Sequence, residues 1–189
     1  MKLIAVTGGI GTGKSVVSSI LKVMGYPVYD CDSEAKRLMV TDAALVQGLK
    51  QLLGDEAYNA DGSLNRAYMS SRIFGHDEMV AQVNALVHPA VLADIQRWAQ
   101  HTGSELNFVE TALLQESGMA RILDDVWTVT APTGLRISRV AKRSGLTEQQ
   151  TRDRMGNQSF DAVDDSSHAI VNDNNHAVIP QVMALLAEL

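Results

Sequence analysis

VTGGIGTGKS, residues Val6 to Ser15, carries four glycines and closes on a lysine and a serine. From Gly8 to Ser15 it satisfies G-x-x-x-x-G-K-[ST] at every fixed position. The chemistry behind that pattern is anion binding. Glycines let the backbone curl until several N–H groups converge on one point. A helix that follows presents the positive end of its dipole to the same point. This reading assigns Gly9, Gly11, Thr12, Gly13, Lys14, Ser15 and Val16 to a nucleotide's phosphates. Lys14 would reach the β- and γ-phosphates, and the Ser15 hydroxyl would ligate Mg²⁺.

The flanks fit such a loop. Residues 3–6 are an apolar run ending near glycine, which predicts a buried strand. Val16, Val17, Ile20, Leu21 and Met24 recur at helical spacing, and Gly25 stops the helix. PVYDCD, residues 27–32, predicts a second strand, so the opening is a βαβ unit with the glycines at its first turn. Helices are predicted over 33–39, 43–53, 77–100, 133–144 and 178–189. The third is expected to break at His88-Pro89, because proline disfavours helix in the residue before it. Thr147 and Gln150 have the spacing of a capping box opening a further helix. Residues 54–65 are turn-rich, centred on Asp61-Gly62, and strands are predicted over 105–110, 126–131 and 168–172. Alternating strands and helices predict an α/β fold with a mainly parallel sheet.

Composition narrows the function. A chain of 189 residues with 46% hydrophobic and 20% charged residues has enough apolar material for a sizeable core. A net charge of −6 argues against a nucleic-acid binder working by bulk charge. The N-terminal apolar run is too short for a signal peptide, and no run approaches the roughly 18 residues of a membrane span. The one cysteine, Cys31, cannot form an internal disulfide, which suits a reducing compartment. A soluble, cytoplasmic protein is expected.

Further candidates stand beside the loop. Asp30 and Asp32 are read as closing the second strand, where residues two apart face the same way. Ligands of open α/β sheets bind at the carboxyl ends of strands. One of these carboxylates could take a proton from an acceptor hydroxyl, or Asp32 could merely cap the helix behind it. Glu110 and Glu116 could hold the metal's waters or be solvated loop carboxylates. Residues 136–154 contain Arg136, Arg139, Lys142, Arg143, Arg152 and Arg154 against Glu148 and Asp153. That segment is a plausible clamp for a triphosphate, or simply a solvated helix face. No N-K-x-D base-reading motif is present, and the one D-x-x-G match, at Asp153, sits in this basic segment rather than after a strand. A GTPase is not indicated.

Taken together these residues resemble the dephospho-coenzyme A kinase family. LIAVTGGIGTGKSVV is similar to its opening, and VYDCD to its paired-aspartate strand, V-x-D-A-D. RAYMSSRIFGHDEMVAQVNALVHPAV is similar to its R-x-x-x-x-x-R-I-F…L-N…H-P-x-V segment. RVAKR followed by RMGNQ resembles its lid, and AIVNDNN its late strand. The resemblance implies transfer of the γ-phosphate of ATP to the ribose 3′-hydroxyl of dephospho-coenzyme A. It implies Asp32 as general base and Arg139 and Arg143 as lid arginines on ATP, with Gln158 beside them. It also implies Arg72, His88 and Pro89 in the acceptor site. Four departures stand out. Glu110 stands where an aspartate is common. TALLQE lacks the family's proline and phenylalanine before Glu116. Asn175 replaces a glycine, leaving open whether Asn172 or Asn174 meets adenine. Arg136 stands where the family often has glutamine.

The expectation is an α/β, P-loop NTPase-type three-layer fold with a mainly parallel sheet, a helical acceptor-binding insertion and a helical lid. The core would comprise residues 1–54, 104–135 and 161–189, the acceptor domain 55–103 and the lid 136–160. Lys14, Asp32 and Arg139 would carry the chemistry, with Mg²⁺ as cofactor and ATP as co-substrate. Neither nucleic acid, membrane nor protein partner is implied, and a monomer is expected. The alternatives are a kinase of nucleosides or nucleoside monophosphates, and a switch that binds or hydrolyses ATP without an acceptor.

Overall fold

The computed structural model describes residues 1–114, 117–145, 147–156 and 168–189. Five strands form one sheet: β1 (Lys2–Thr7), β2 (Val28–Asp30), β3 (Leu106–Glu110), β4 (Asp125–Thr130) and β5 (His168–Val171), in the order β2-β3-β1-β4-β5. β1 pairs in parallel with both β3 and β4, and β4 with β5. Leu3, Ile4, Ala5 and Val6 are all buried, so β1 is covered on both faces, as expected of a central parallel strand. From β1 the chain goes out to one edge, returns through β3, and then continues on the other side through β4. That reversal of direction at the carboxyl end of β1 is where open α/β sheets bind ligands.

Register explains the core. Ile4 lies opposite Phe108, Val6 opposite Trp127, and Val129 opposite Ile170. These six fully buried side chains meet Val17 and Leu21 of helix α1 (Lys14–Val23) and Val182 of helix α8 (Val178–Ala187). Tyr26 meets Phe108 edge-on at 5.6 Å, and Phe108 meets Trp127 at 5.1 Å between ring centres. Such pairs add about 0.5–1.5 kcal/mol beyond burial. Of the stripe expected on α1, Val16 is instead 47% exposed, beside the loop rather than on the core.

The chain divides into two compact units. The first holds residues 1–29, 102–114 and 120–189, and the second holds 30–101 and 115–119. The second unit is built from α2 (Cys31–Thr41), α3 (Ala43–Leu53), a 3-10 turn (Asp55–Ala57), α4 (Arg66–Ile73) and α5 (Asp77–His101). It begins at Asp30, so it also takes in the two helices that precede the 55–103 segment. Gly48 of α3 brings that helix close to α5, since a Cβ there would lie 3.4 Å from Leu86. Arg37 of α2 pairs with Glu34 and with Asp94 of α5, the latter at 2.5 Å. Tyr58 and Tyr68 tie their hydroxyls to the carbonyls of Met39 and Leu53.

Two local readings are corrected here. The second strand ends at Asp30, and Asp32 belongs to the first turn of α2. Asp30 supplies the reason, because its carboxylate accepts from the backbone N–H groups of Asp32 and Ser33 and starts the helix two residues early. The second correction is α5, which runs through His88-Pro89 without a break. Val83, Val87, Val91, Ile95 and Ala99 form a buried stripe along it, and that packing outweighs the hydrogen bond lost at proline. Helix α4, which the periodicity did not reveal, has a weakly amphipathic face with Met69 as its buried residue. Its start is set by Asn65, whose side chain accepts from the Tyr68 N–H at 3.1 Å.

Candidate active site

The glycine loop leaves the carboxyl end of β1 and enters α1 at Lys14. Gly13 is the N-cap of α1 with φ +97°, a left-handed conformation that strains any residue carrying a Cβ. The Asn172 side-chain nitrogen occupies the place a Cβ at Gly13 would need. Two hydrogen bonds close the loop upon itself: Thr12 Oγ1 to the Gly9 carbonyl at 2.9 Å, and Lys14 Nζ to the Gly8 carbonyl at 2.8 Å. The Val16 N–H returns to the Gly13 carbonyl at 2.9 Å, so α1 is wound from its first turn. The positive end of its dipole is thereby aimed at the loop.

Helix α6 (Thr133–Ser144) and the end of β5 hold the loop from outside. Arg139 donates to the Thr12 carbonyl at 3.3 Å, to Asn172 Oδ1 at 3.2 Å and to Asn174 Oδ1 at 2.8 Å. Asn172 is buried and donates to the same Thr12 carbonyl at 2.8 Å. Asn174 is exposed and takes a left-handed φ of +70°, which asparagine tolerates better than most residues. The two asparagines thus have different local jobs. Arg143 lies exposed in the last turn of α6. Helix α7 (Glu148–Gly156) opens on the expected capping box, with Thr147 N donating to Gln150 Oε1 at 2.9 Å and Gln150 N to Thr147 Oγ1 at 3.2 Å. Glu116 and Gln158 lie outside the described residues.

Sequence reasoning gave Arg136 only a supporting place in the basic segment. Its Nε donates to the Ile10 carbonyl at 2.9 Å, and its guanidinium packs against Gly9. Burial pushes its pKa below the ordinary arginine value. The partners are 126 residues apart, so no local pattern could have revealed them.

Ser15 is exposed in the first turn of α1, with its backbone carbonyl accepting from Ser19 Oγ at 2.7 Å. Glu110 ends β3 in register with Val6, two residues before the loop's first glycine. One hydroxyl and one carboxylate suit Mg²⁺, which keeps several waters and leans on substrate phosphates. Among the described residues no cluster of three or more acidic, histidine or cysteine side chains forms a dedicated metal cage.

In the helical unit, the Asp30 carboxylate is fully engaged as the cap of α2, accepting also from Ser33 Oγ at 2.9 Å. Asp32, the second residue of α2, is exposed, and among the described residues its carboxylate takes part in no hydrogen bond. Arg72 lines an open cleft of about 320 Å³ with His76, Glu78, Met79 and Gln82. His88 and Pro89 lie mid-way along α5, half-buried and exposed respectively, and neither borders that cleft. No helix among the described residues is long and apolar enough to cross a membrane.

Three comparisons bear on this geometry. The model of a family described as dephospho-CoA kinase matches residues 2–179. A dephospho-CoA kinase of Bacteroides fragilis (strain YCH46) is 36% identical over 189 residues, covering 98% of this chain and 92% of its own. One of Porphyromonas gingivalis is 40% identical over 158 residues, covering 84% and 78%. The solved dephospho-CoA kinase from Campylobacter jejuni shares the fold, with a TM-score of 0.72 at 22% identity over 100% of this chain and 97% of that one.

Proposed function

The chain belongs to the dephospho-CoA kinase family, a family of ATP-dependent kinases that perform the final step of coenzyme A biosynthesis, and we propose how its own residues carry that step. The 3′-hydroxyl oxygen of the acceptor ribose forms a bond to the γ-phosphorus of ATP as the bond to the β–γ bridging oxygen breaks. ADP leaves, and the hydroxyl proton passes to the Asp32 carboxylate. Backbone N–H groups of residues 9–16 and the Lys14 ammonium hold the phosphates. Arg139 and Arg143 meet the charge that spreads over the transferring group. Ser15, with Glu110 at the end of the neighbouring strand, would hold Mg²⁺, whose charge would neutralise the phosphates.

The observation that carries this reading is the division of labour at the start of α2. Asp30 does the capping, which leaves Asp32 uncommitted at a position that resembles the family's base. Arg72 and its cleft, with His88 and Pro89, are proposed to receive dephospho-CoA, and residues 136–160 to form the lid. ATP and dephospho-CoA are the proposed partners, with Mg²⁺ as cofactor and the monomer as the working form in the cytoplasm.

The test is ADP release from Mg·ATP by the purified protein, with and without dephospho-CoA, in wild type and Asp32→Asn. Acceptor-dependent ADP with matching coenzyme A, lost in the variant, is expected. Acceptor-dependent turnover that survives the variant would remove Asp32 from the chemistry. Turnover indifferent to the acceptor would overturn the substrate.

A further inference from the structure

Arg136 is a half-buried cation without a counter-ion among the described residues. Nε is engaged by the Ile10 carbonyl at 2.9 Å, whereas the two terminal nitrogens meet no protein acceptor among the described residues. Removing a guanidinium from water without pairing it is costly, so its place on the phosphate loop calls for a compensating anion. The helix backbone approaches equally closely: a Cβ at Gly11 would lie 2.7 Å from the Arg136 carbonyl. Side chain and main chain of one residue therefore clasp Gly9, Ile10 and Gly11, the first half of the loop. Arg139, one turn on, holds the second half at Thr12.

Carbonyls held outward leave the N–H groups of the same peptide planes facing inward, toward the anion. The single Nε–H bond to the Ile10 carbonyl favours that orientation, and the guanidinium charge adds to the field the phosphates enter. Resting on the proposed phosphate-binding role of the loop, we propose that Arg136 is a positioning residue that pre-sets the loop for the nucleotide's polyphosphate and strengthens its binding. A glutamine here could reproduce one N–H···O bond but none of the charge.

Three variants separate the two contributions. Arg136→Gln keeps a donor without charge, Arg136→Lys keeps charge without the fork, and Arg136→Met keeps neither. Dissociation constants for Mg·ATP and Mg·ADP are titrated directly, without acceptor, at two salt concentrations. The Michaelis constants for ATP and dephospho-CoA follow, with thermal melts for each variant. In Arg136→Met, ATP affinity is expected to fall about tenfold while the Michaelis constant for dephospho-CoA stays within about twofold. Arg136→Gln should recover part of the affinity and show a shallower salt dependence than wild type, and Arg136→Lys should retain the wild-type salt slope. ATP affinity unchanged in Arg136→Met, or equal losses toward both substrates, would overturn the proposal. If Arg136→Met does not fold, a wild-type affinity and salt slope in Arg136→Gln would overturn it. Failure of the kinase reading is distinguishable, because it would show as acceptor-independent turnover in wild type.

Discussion

Asp30 and Asp32 differ by two positions and by everything that matters chemically. Asp30 satisfies N–H groups that a helix start leaves bare, and Asp32 satisfies none. Asp30→Ala should therefore lower stability by about 1 kcal/mol, read from urea melts. Asp32→Asn should leave the melt unchanged and lower kcat by about 10²–10⁴-fold. Equal effects of the two substitutions on kcat would show that both act only through the helix start. Gly13 invites a second test. Gly13→Ala should weaken ATP binding by about tenfold or more, since it meets both a left-handed backbone and the Asn172 amide. Adding Asn172→Ala removes the collision, along with the Asn172 bonds to Thr12 and Arg139, and leaves the left-handed backbone strained, so the double variant should not recover. Full recovery would mean that backbone conformation is not the constraint.

At the scale of elements, α5 keeps a proline that its packing tolerates. Pro89 cannot donate to the Ala85 carbonyl, so Pro89→Ala should raise stability by about 1–3 kcal/mol in urea melts. If α5 serves the acceptor, the Michaelis constant for dephospho-CoA should rise in the same variant while that for ATP stays level. The loop after β5 makes a prediction about pH. The N–H groups of His176 and then Asn175, with the His176 ring, lower the Asp173 carboxyl from 3.8 to about 2. A lowered folded-state pKa means the loop's contribution is complete above 3.8 and is lost as pH falls through about 2. An NMR titration of the Asp173 carboxyl carbon should give that low midpoint, and a midpoint near 3.8 would show that the donors do not engage it.

For the whole molecule, the sheet unit depends on one aromatic row. Phe108 is fully buried between Tyr26 and Trp127 and sits beside β1, which carries the loop. Phe108→Ala should cost about 3–5 kcal/mol, measured by denaturant unfolding. Because the loop is rooted in that core, saturating Mg·ATP should restore part of the lost melting temperature by mass action. No ligand-induced rise, in a variant that still turns over, would separate loop from core.

Much of this was legible along the chain because the forces involved are local. The phosphate loop, the start of α1, the capping box at Thr147 and the parallel alternation each depend on residues within a few positions of one another. So does the family likeness, which rests on short motifs. What lay beyond reach depends on partners far apart in sequence. Asn172 fills the space over Gly13 from 159 residues away, and Arg136 grips Ile10 from 126. The stripe that carries α5 past its proline works only because α2, α3 and α4 pack against it. The start of α2 was local yet misread, because strand propensity in VYDCD competed with a cap whose strength lies in side-chain geometry. Residue types and spacing determined the chemistry offered. Which aspartate caps α2, and which arginine braces the loop, were decided by packing and hydrogen-bond satisfaction that only the folded chain has.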